Sequence, residues 1–166
     1  MKVLYNVLVA AIVSVGVFSV VVYTSCKKDK CDNVVCQNQG ACDGGICYCP
    51  TGYEGIRCEE LTRDRFVATY NGNDSCSRYS EGQYPIYFTT VPEKPLELMM
   101  KNLLNSLDDS AIATIQSLDS FVFNGANNST TYRGYGVMRN DSLWLTYHVD
   151  HDTTSYDCVY FGQSRR

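Results

Sequence analysis

Alternation of apolar and polar residues recurs through the C-terminal part of the chain. It is clearest in segments 131–138 and 143–150, which flank the polar stretch 139–142. Successive side chains of a strand point to opposite faces, so the second segment turns alternate apolar residues to one side. These residues are Leu143, Leu145, Tyr147 and Val149. The pattern predicts a β-hairpin with one buried face.

Further short segments are also typical of strands: 66–70, 84–91, 111–117, 121–123 and 156–161. We expect the first to end at a turn in 71–74, and the fourth to be followed by a polar loop through residue 129. Repeated short strands with local turns favour an antiparallel meander. Such a meander tends to close or stack, because open sheet edges are exposed to unwanted pairing.

The apolar residues of segment 96–107 fit both the spacing of a helix and the alternation of a strand. Its apolar residues match helical spacing at Leu96, Met99, Met100, Leu103, Leu104 and Leu107, and Pro95 is tolerated at a helix start. The stretches 96–98 and 100–102 also alternate as a strand does. We predict a strand because the neighbouring elements are β, with a helix as the alternative.

The N-terminal segment 1–25 has a different character. From Val3 to Ser25 it contains no charged residue and is dominated by apolar side chains. This composition is typical of a secretory signal peptide or a membrane anchor, and the length suits either, since about 20 apolar residues can span a bilayer. In both cases the rest of the chain is expected outside the cytoplasm.

The end of this segment, Thr24-Ser25-Cys26, resembles a bacterial lipobox, and the following Lys27-Lys28-Asp29 is similar to the mature start of Bacteroidetes surface lipoproteins. The resemblance implies cleavage before Cys26, lipidation of Cys26, and a lipidated tether over 26–30. Acyl chains would anchor the protein to a membrane, because each buried methylene contributes about 0.8 kcal/mol. The implied location is the outer membrane or cell surface. The alternative is an uncleaved anchor.

Most of the nine cysteines are concentrated in a short stretch, at positions 31, 36, 42, 47, 49 and 58. Few apolar residues accompany them, so residues 31–58 cannot bury a self-sufficient core. This density indicates disulfide bonds and an oxidising compartment. The spacing alone leaves the connectivity open, since six cysteines allow many pairings.

The cysteine spacing, together with the ending Gly52-Tyr53-Glu54-Gly55 before Cys58, resembles an EGF-like module over 31–58. The resemblance implies the pairs Cys31–Cys42, Cys36–Cys47 and Cys49–Cys58. Asp43-Gly44-Gly45 suits the turn of a small hairpin, and Gly52 and Gly55 suit positive φ.

Cys76 and Cys158 remain after these pairs and Cys26 are assigned. A disulfide between them requires their Cα atoms to approach within about 7 Å. It would bring the region after the first strand of domain 61–166 next to the last strand, which favours a barrel-like closed sheet over a flat one. The domain also loosely resembles small β domains of Bacteroidetes lipoproteins, which carry no established activity. The expected fold is therefore mainly β: a signal or anchor segment, an EGF-like module, and an antiparallel meander closing into a barrel.

The net charge and the sequence motifs limit which ligands and cofactors we expect. The formal net charge of −4 leaves no basic footprint for nucleic acid. Zinc is disfavoured because regular Cys-x-x-Cys pairs are missing from the sequence, and calcium because Lys28 and Lys30 precede the module. Around His148 and His151, metal-capable residues alternate between two strand faces, so we interpret them as solvent-facing. We expect no metal and no cofactor.

Trp144 is the main candidate for function. It points away from the face of Leu143 and Leu145, beside Thr146 and His148. Exposed aromatics are enriched at recognition surfaces, although Trp144 packing against the EGF-like module or a loop is the alternative. The sequence contains no Gly-x-Ser-x-Gly elbow, so we do not expect an enzyme, and a hydrolase ranks last. The leading expectation is a membrane-anchored binding or adhesion module for protein or glycan. The alternative is a lipocalin-like carrier of a small apolar ligand.

Overall fold

The computed structural model describes residues 30–164 except 79, 81 and 128, together with residues 2, 3, 5, 6 and 9. The predicted lipidation site Cys26 and most of segment 1–25 lie outside the described residues. Within the described part, none of the helical stretches has the length and apolarity required to cross a bilayer. The described chain is mainly β, with short 3₁₀ helices at Thr62–Arg65 and Leu103–Asn105.

Residues 31–58 form a disulfide-rich segment that fits an EGF-like module. Strands β1 (Ala41–Asp43) and β2 (Ile46–Tyr48) pair as a small antiparallel hairpin. The turn between them has Gly44 and Gly45 at positive φ, as expected for a tight turn. A second pair, β3 (Tyr53–Glu54) and β4 (Glu60–Leu61), closes the C-terminal end of the module.

The module is held together by disulfides between Cys31 and Cys42, Cys36 and Cys47, and Cys49 and Cys58. These are the pairs that the EGF resemblance implies. Its larger apolar side chains are exposed, including Val35, Ile46, Tyr48 and Ile56. Crosslinks therefore take the place of a hydrophobic core in this segment.

The remaining strands form a closed antiparallel barrel, which confirms the predicted fold class. They are β5 (Thr69–Cys76), β6 (Tyr84–Thr90), β7 (Glu97–Lys101), β8 (Ser110–Ile115), β9 (Ser120–Ala126), β10 (Thr130–Arg139), β11 (Ser142–His151) and β12 (Thr154–Ser164). Each strand pairs with the next along the chain, and β12 pairs with β5 to close the sheet. The hairpin of β10 and β11 turns at residues 140–141, as the polar stretch predicted.

The Cys76–Cys158 disulfide lies at the closing seam. The two cysteines are direct cross-strand partners on β5 and β12, with their Cα atoms 4.0 Å apart. The pair thus joins the first and last strands of the barrel covalently.

The predicted turn at 71–74 is wrong, because β5 continues through it to Cys76. Gly72 is needed for a close crossing of strands: a Cβ there would lie 2.0 Å from the carbonyl oxygen of Phe161 on β12. Other boundaries differ as well: β5 begins at Thr69 rather than at residue 66, and β12 extends beyond the predicted 156–161 at both ends. β9 extends through part of the predicted loop to Ala126, whereas β8 ends at Ile115 rather than at residue 117.

Segment 96–107 is a strand in its first half. After β7, Asn102 takes a left-handed conformation with φ of 68°, and the short 3₁₀ helix Leu103–Asn105 follows. This break explains why the helical spacing does not produce a long helix. Leu98, Met100 and Leu103 are buried in the core, while Leu107 is exposed.

Aromatic rings fill the barrel at the end nearer the module. The ring of Phe121 lies edge-on to those of Phe66 and Phe88, each with centroids 5.4 Å apart, and Tyr70 packs similarly against Phe88. Phe66 precedes β5, so the linker from the module supplies part of the barrel core.

The module is seated on this same end of the barrel. The Thr62 amide donates to the Gly52 carbonyl at 2.9 Å, and Arg63 donates to the Val91 carbonyl in the β6–β7 loop at 2.9 Å. Arg65 pairs with Glu54 at 3.0 Å. These contacts tie the linker to both the module and the barrel.

Candidate functional site

The outward side of β9–β12 carries a set of residues that are mostly apolar and exposed, together with the half-buried Val137 and the polar Thr146. The strand register aligns them in two adjacent rows across the sheet. One row consists of Val122, Tyr135, Thr146 and Val159, and the other of Val137, Trp144 and Phe161. We call these residues the outer aromatic face. Tyr135 is 54% exposed, Phe161 44% and Trp144 39%.

The face follows from the strand period of two. Leu143 and Leu145 are fully buried, so Trp144 between them must point outward. Its ring packs beside Phe161 on the neighbouring strand, with centroids 5.2 Å apart and planes tilted by 43°. Trp144 therefore contacts an aromatic of the barrel wall and still remains substantially exposed.

The predicted recognition residues Trp144, Thr146 and His148 lie in succession on the outward side of β11. Trp144 and Thr146 line a shallow depression of about 280 Å³ with Tyr135 and Val137. Thr146 and His148 line a second depression, of about 380 Å³, on the other side of Tyr135. The structure thus brings the three predicted residues onto one surface.

Sequence reasoning missed Tyr135 and Phe161 as parts of this surface. A signal for Tyr135 was present: a turn at 140–141 sets Val137 opposite Trp144 and Tyr135 opposite Thr146. Phe161 required the register of a second hairpin, between β11 and β12, in addition.

Ion pairs border the face at one end. Arg133 contacts Asp150 at 2.9 Å, and His148 lies between two carboxylates, with Nδ1 2.7 Å from Asp157 and Nε2 3.1 Å from Asp150. The hydrogen bond to Asp157, and then the one to Asp150, raise the pKa of His148 above its ordinary value. Most of the charge at this border is therefore compensated locally.

On a continuous strand Asp152 would share the face of His148, four residues earlier, but β11 ends at His151 and Asp152 does not. It lies in the β11–β12 turn with φ of 48°, and its carboxylate is 3.6 Å from His151 Nε2. Within residues 30–164, where described, no group of three or more His, Cys, Asp and Glu side chains is arranged to hold a metal ion.

A second polar cluster lies inside the barrel, where sequence reasoning did not expect it. The hydroxyls of Tyr84 and Tyr147 both donate to the buried carboxylate of Asp74, Tyr147 at 2.8 Å. Burial, with the negative charge of Asp74 contributing, raises the pKa of both tyrosines far above the ordinary value. The cluster joins β5, β6 and β11 and lies away from solvent, so we assign it to stability.

Side chains occupy the barrel interior. The largest fully buried ones include Tyr70, Tyr132, Tyr160, Phe66 and Phe121. On the inner side of the wall, the Tyr160 hydroxyl shares its hydrogen between the carbonyls of Tyr70 and Tyr84 on the next two strands, at 2.7 and 3.1 Å. An eight-stranded barrel filled in this way leaves little room for an internal ligand, which disfavours the carrier alternative.

A larger cleft, of about 650 Å³, lies between the module and the β8–β9 turn, near Tyr48, Tyr53 and Leu118. Domain junctions are common ligand sites. We favour the outer aromatic face instead, because three exposed aromatic rings and the predicted recognition residues converge there.

No protein-family model matches the chain, and no solved structure matches it either.

Proposed function

We propose that this protein is a membrane-anchored extracellular lipoprotein that acts as a binding or adhesion module. Recognition takes place at the outer aromatic face. The observation that carries the proposal is the grouping of Tyr135, Trp144 and Phe161, all exposed, in two adjacent rows on the wall of a closed barrel.

Exposing this much apolar surface to water has a free-energy cost. A strand with one solvated side normally alternates apolar and polar residues, and clustered exposed aromatics favour association. Aromatic residues are enriched among the residues that dominate binding energy, and fully burying one contributes roughly 1.5–3 kcal/mol. A protein that keeps several such rings exposed on adjacent strands is suited to covering them with a partner.

The expected anchor and module fit this role. The lipobox-like sequence at Cys26 would attach the chain to the outer membrane or cell surface, and the disulfides suit an oxidising environment. The module, seated on the near end of the barrel, would act as a spacer. The barrel wall would then face outward, free of the membrane.

The proposal is tested by blocking the face without disturbing the core. Thr146 lies exposed at its centre, so Thr146→Arg inserts a long charged side chain among the rings. Thr89→Arg is the matched control, since Thr89 is exposed on β6, four strands away around the barrel from β10. Full-length protein is applied to arrays of extracellular proteins and glycans. We expect Thr146→Arg to weaken binding at least tenfold and Thr89→Arg to leave it unchanged. Equal binding by both variants would contradict the proposal.

The anchor is tested separately by the intact mass of the native protein. We expect an N-terminus at Cys26 carrying acyl chains. A mass that includes residues 1–25 without lipid would instead support an uncleaved anchor.

A further inference from the structure

We propose that the ligand of the outer aromatic face is a neutral oligosaccharide. This inference rests on the proposed function and specifies the class of partner.

The arrangement of the rings suits sugars. Tyr135, Trp144 and Phe161 come from the neighbouring strands β10, β11 and β12. Strands lie about 4.8 Å apart, so the three rings extend over roughly 10 Å, the reach of a short oligosaccharide. The face of an aromatic ring carries partial negative charge, which attracts the weakly positive C–H groups on one side of a pyranose. Because Trp144 and Phe161 are tilted by 43°, neither ring covers the other face to face.

The charges around the rings favour a neutral ligand. Arg133 is paired with Asp150, and His148 with Asp157. An anionic ligand would approach the carboxylates of Asp150 and Asp157, and a cationic one would approach Arg133 and Arg139, which lines the depression beside Trp144. A neutral ligand avoids both repulsions and leaves the existing pairs in place.

Polar groups lie where sugar hydroxyls would need them. The Thr146 hydroxyl is at the centre of the face, between Tyr135 and Val159 in the register. Asn73, which is exposed, is opposite Phe161 on β5, and Ser75 is opposite Val159. Hydroxyl and amide groups both donate and accept hydrogen bonds, as the hydroxyls of a sugar do.

The same features make a protein partner the weaker choice. The energetic centre of a protein interface is a contiguous apolar patch shielded from water. Here the polar Thr146 interrupts the apolar row at its middle. The depressions on either side, about 280 and 380 Å³, are shallow and open to solvent. Extended sugar chains bind across such surfaces without needing a deep pocket.

Sugar binding at this face can be measured with the intrinsic tryptophan fluorescence of the protein. Trp144 is the single tryptophan of the 166 residues, so the tryptophan fluorescence of the protein reports on this face alone. Full-length protein, in a detergent without a sugar headgroup, is titrated with neutral oligosaccharides and with their sulfated and uronic-acid counterparts. We expect at least one neutral oligosaccharide to produce a saturable change in emission, and the acidic counterparts to bind at least tenfold more weakly.

Variants then assign the binding by calorimetry. We expect Phe161→Ala and Trp144→Ala each to weaken binding of the neutral sugar at least tenfold. Trp144→Phe, which keeps a ring, should retain most of the affinity, and Thr89→Arg should retain all of it. Near-ultraviolet circular dichroism and thermal unfolding check that every variant is folded.

The possible failures are distinguishable. If only acidic sugars bind, the assignment of a neutral ligand is overturned, and if no sugar binds, the glycan assignment is overturned. In either case the proposed function stands when a protein ligand from the array loses affinity in Thr146→Arg. If a neutral sugar binds equally well to Thr146→Arg and wild type, both the glycan assignment and the recognition role of this face are overturned.

Discussion

In the EGF-like module Val35, Ile46 and Ile56 are exposed to solvent, and three disulfides connect segments that share almost no apolar contact. In the barrel a single disulfide lies beside a continuous core in which Phe121 touches several other rings. Both regions must offset the conformational entropy lost on folding. The module does so by restricting its unfolded state, and the barrel does so by burying apolar surface.

The importance of a disulfide for folding therefore depends on whether a hydrophobic core also stabilises the same region. In the chain-entropy description, closing a loop of 11 residues contributes about 3 kcal/mol, whereas the 82-residue span between Cys76 and Cys158 gives about 4.5 kcal/mol. The larger figure belongs to the barrel, whose core can persist without it. Four predictions, in order of decreasing effect, test this contrast.

Removing one module disulfide should have the largest consequence. In Cys36→Ser with Cys47→Ser, we expect the module to lose its ordered structure completely, because no core remains to hold β1 against β2. The barrel should stay folded. Limited proteolysis and amide chemical-shift dispersion, assigned separately to residues 31–58 and 69–164, measure this.

The matched control is Cys76→Ser with Cys158→Ser. Here we expect a loss of about 2–4.5 kcal/mol in the free energy of unfolding, with the barrel still folded. A barrel that unfolds without this disulfide, or a module that survives without Cys36–Cys47, would reverse the contrast.

Alkaline pH should lower the free energy of unfolding of the barrel. Burial raises the pKa of Tyr84, Tyr132, Tyr147 and Tyr160 well above the ordinary value. A raised pKa in the folded state means that stability is complete below the unfolded pKa of about 10 and is lost as the pH rises above it. Each tyrosine removes about 1.4 kcal/mol per pH unit in that range. We expect a steep unfolding transition above about pH 10.

Two signals recorded together check this prediction. Tyrosinate absorbance of these four residues should rise only together with the loss of the β-sheet circular dichroism signal. Ionisation of the full tyrosine complement in a barrel that keeps this signal would contradict it.

Opening a cavity in the barrel core should have the next largest effect. Phe121→Ala removes a ring that packs on Phe66, Phe88 and Phe123, and we expect a loss of about 3–5 kcal/mol in urea unfolding. Phe161→Ala is the control on the outer aromatic face, where we expect a change of less than about 1 kcal/mol. Similar losses at both positions would mean that the two sides of the wall contribute alike.

The smallest effect is expected from His148. Its raised pKa implies that the pairing with Asp157 and Asp150 stabilises the fold fully below the unfolded pKa of about 6.5 and is lost as the pH rises through the folded pKa. The stability difference between wild type and His148→Gln should therefore shrink across that window. Both histidines of the protein lie in the barrel, so this dependence should be missing from the module. Unfolding measured at a series of pH values tests it, and a difference that grows with pH would contradict it.

The elements best predicted from sequence were those with a local signal. The cysteine spacing of 31–58 indicates the module, the alternation around 139–142 indicates the β10–β11 hairpin, and Cys76 with Cys158 favours a closed sheet. In each case the information lies in the residues of the element itself or in a distinctive pair. The exposed position of Trp144 followed in the same way from its buried neighbours Leu143 and Leu145.

What was missed depends on partners far away in sequence. Residues 71–74 are typical of a turn, yet they form part of a strand because Gly72 allows close contact with β12 and Asp74 accepts a hydrogen bond from Tyr147. Local preference cannot register those contacts, which tertiary packing imposes. The aromatic partner of Trp144 could likewise not be predicted, because Phe161 is its neighbour only in the correct register of β11 and β12.

The position of β12 between β11 and β5 limits the order in which the strands can pair during folding. Strand β12 closes the sheet by pairing with β5, so β5 keeps one unpaired edge until residues 154–164 have joined it. Pairings between distant parts of a chain form slowly, and unpaired edges are prone to aggregate in the interval. The disulfides and the β1–β2 pair of the module link residues close together in sequence, so the module can form while the barrel is still open. Removal of residues 154–164 should therefore expose the edges of both β5 and β11, and damage the barrel more than the loss of 11 residues alone suggests.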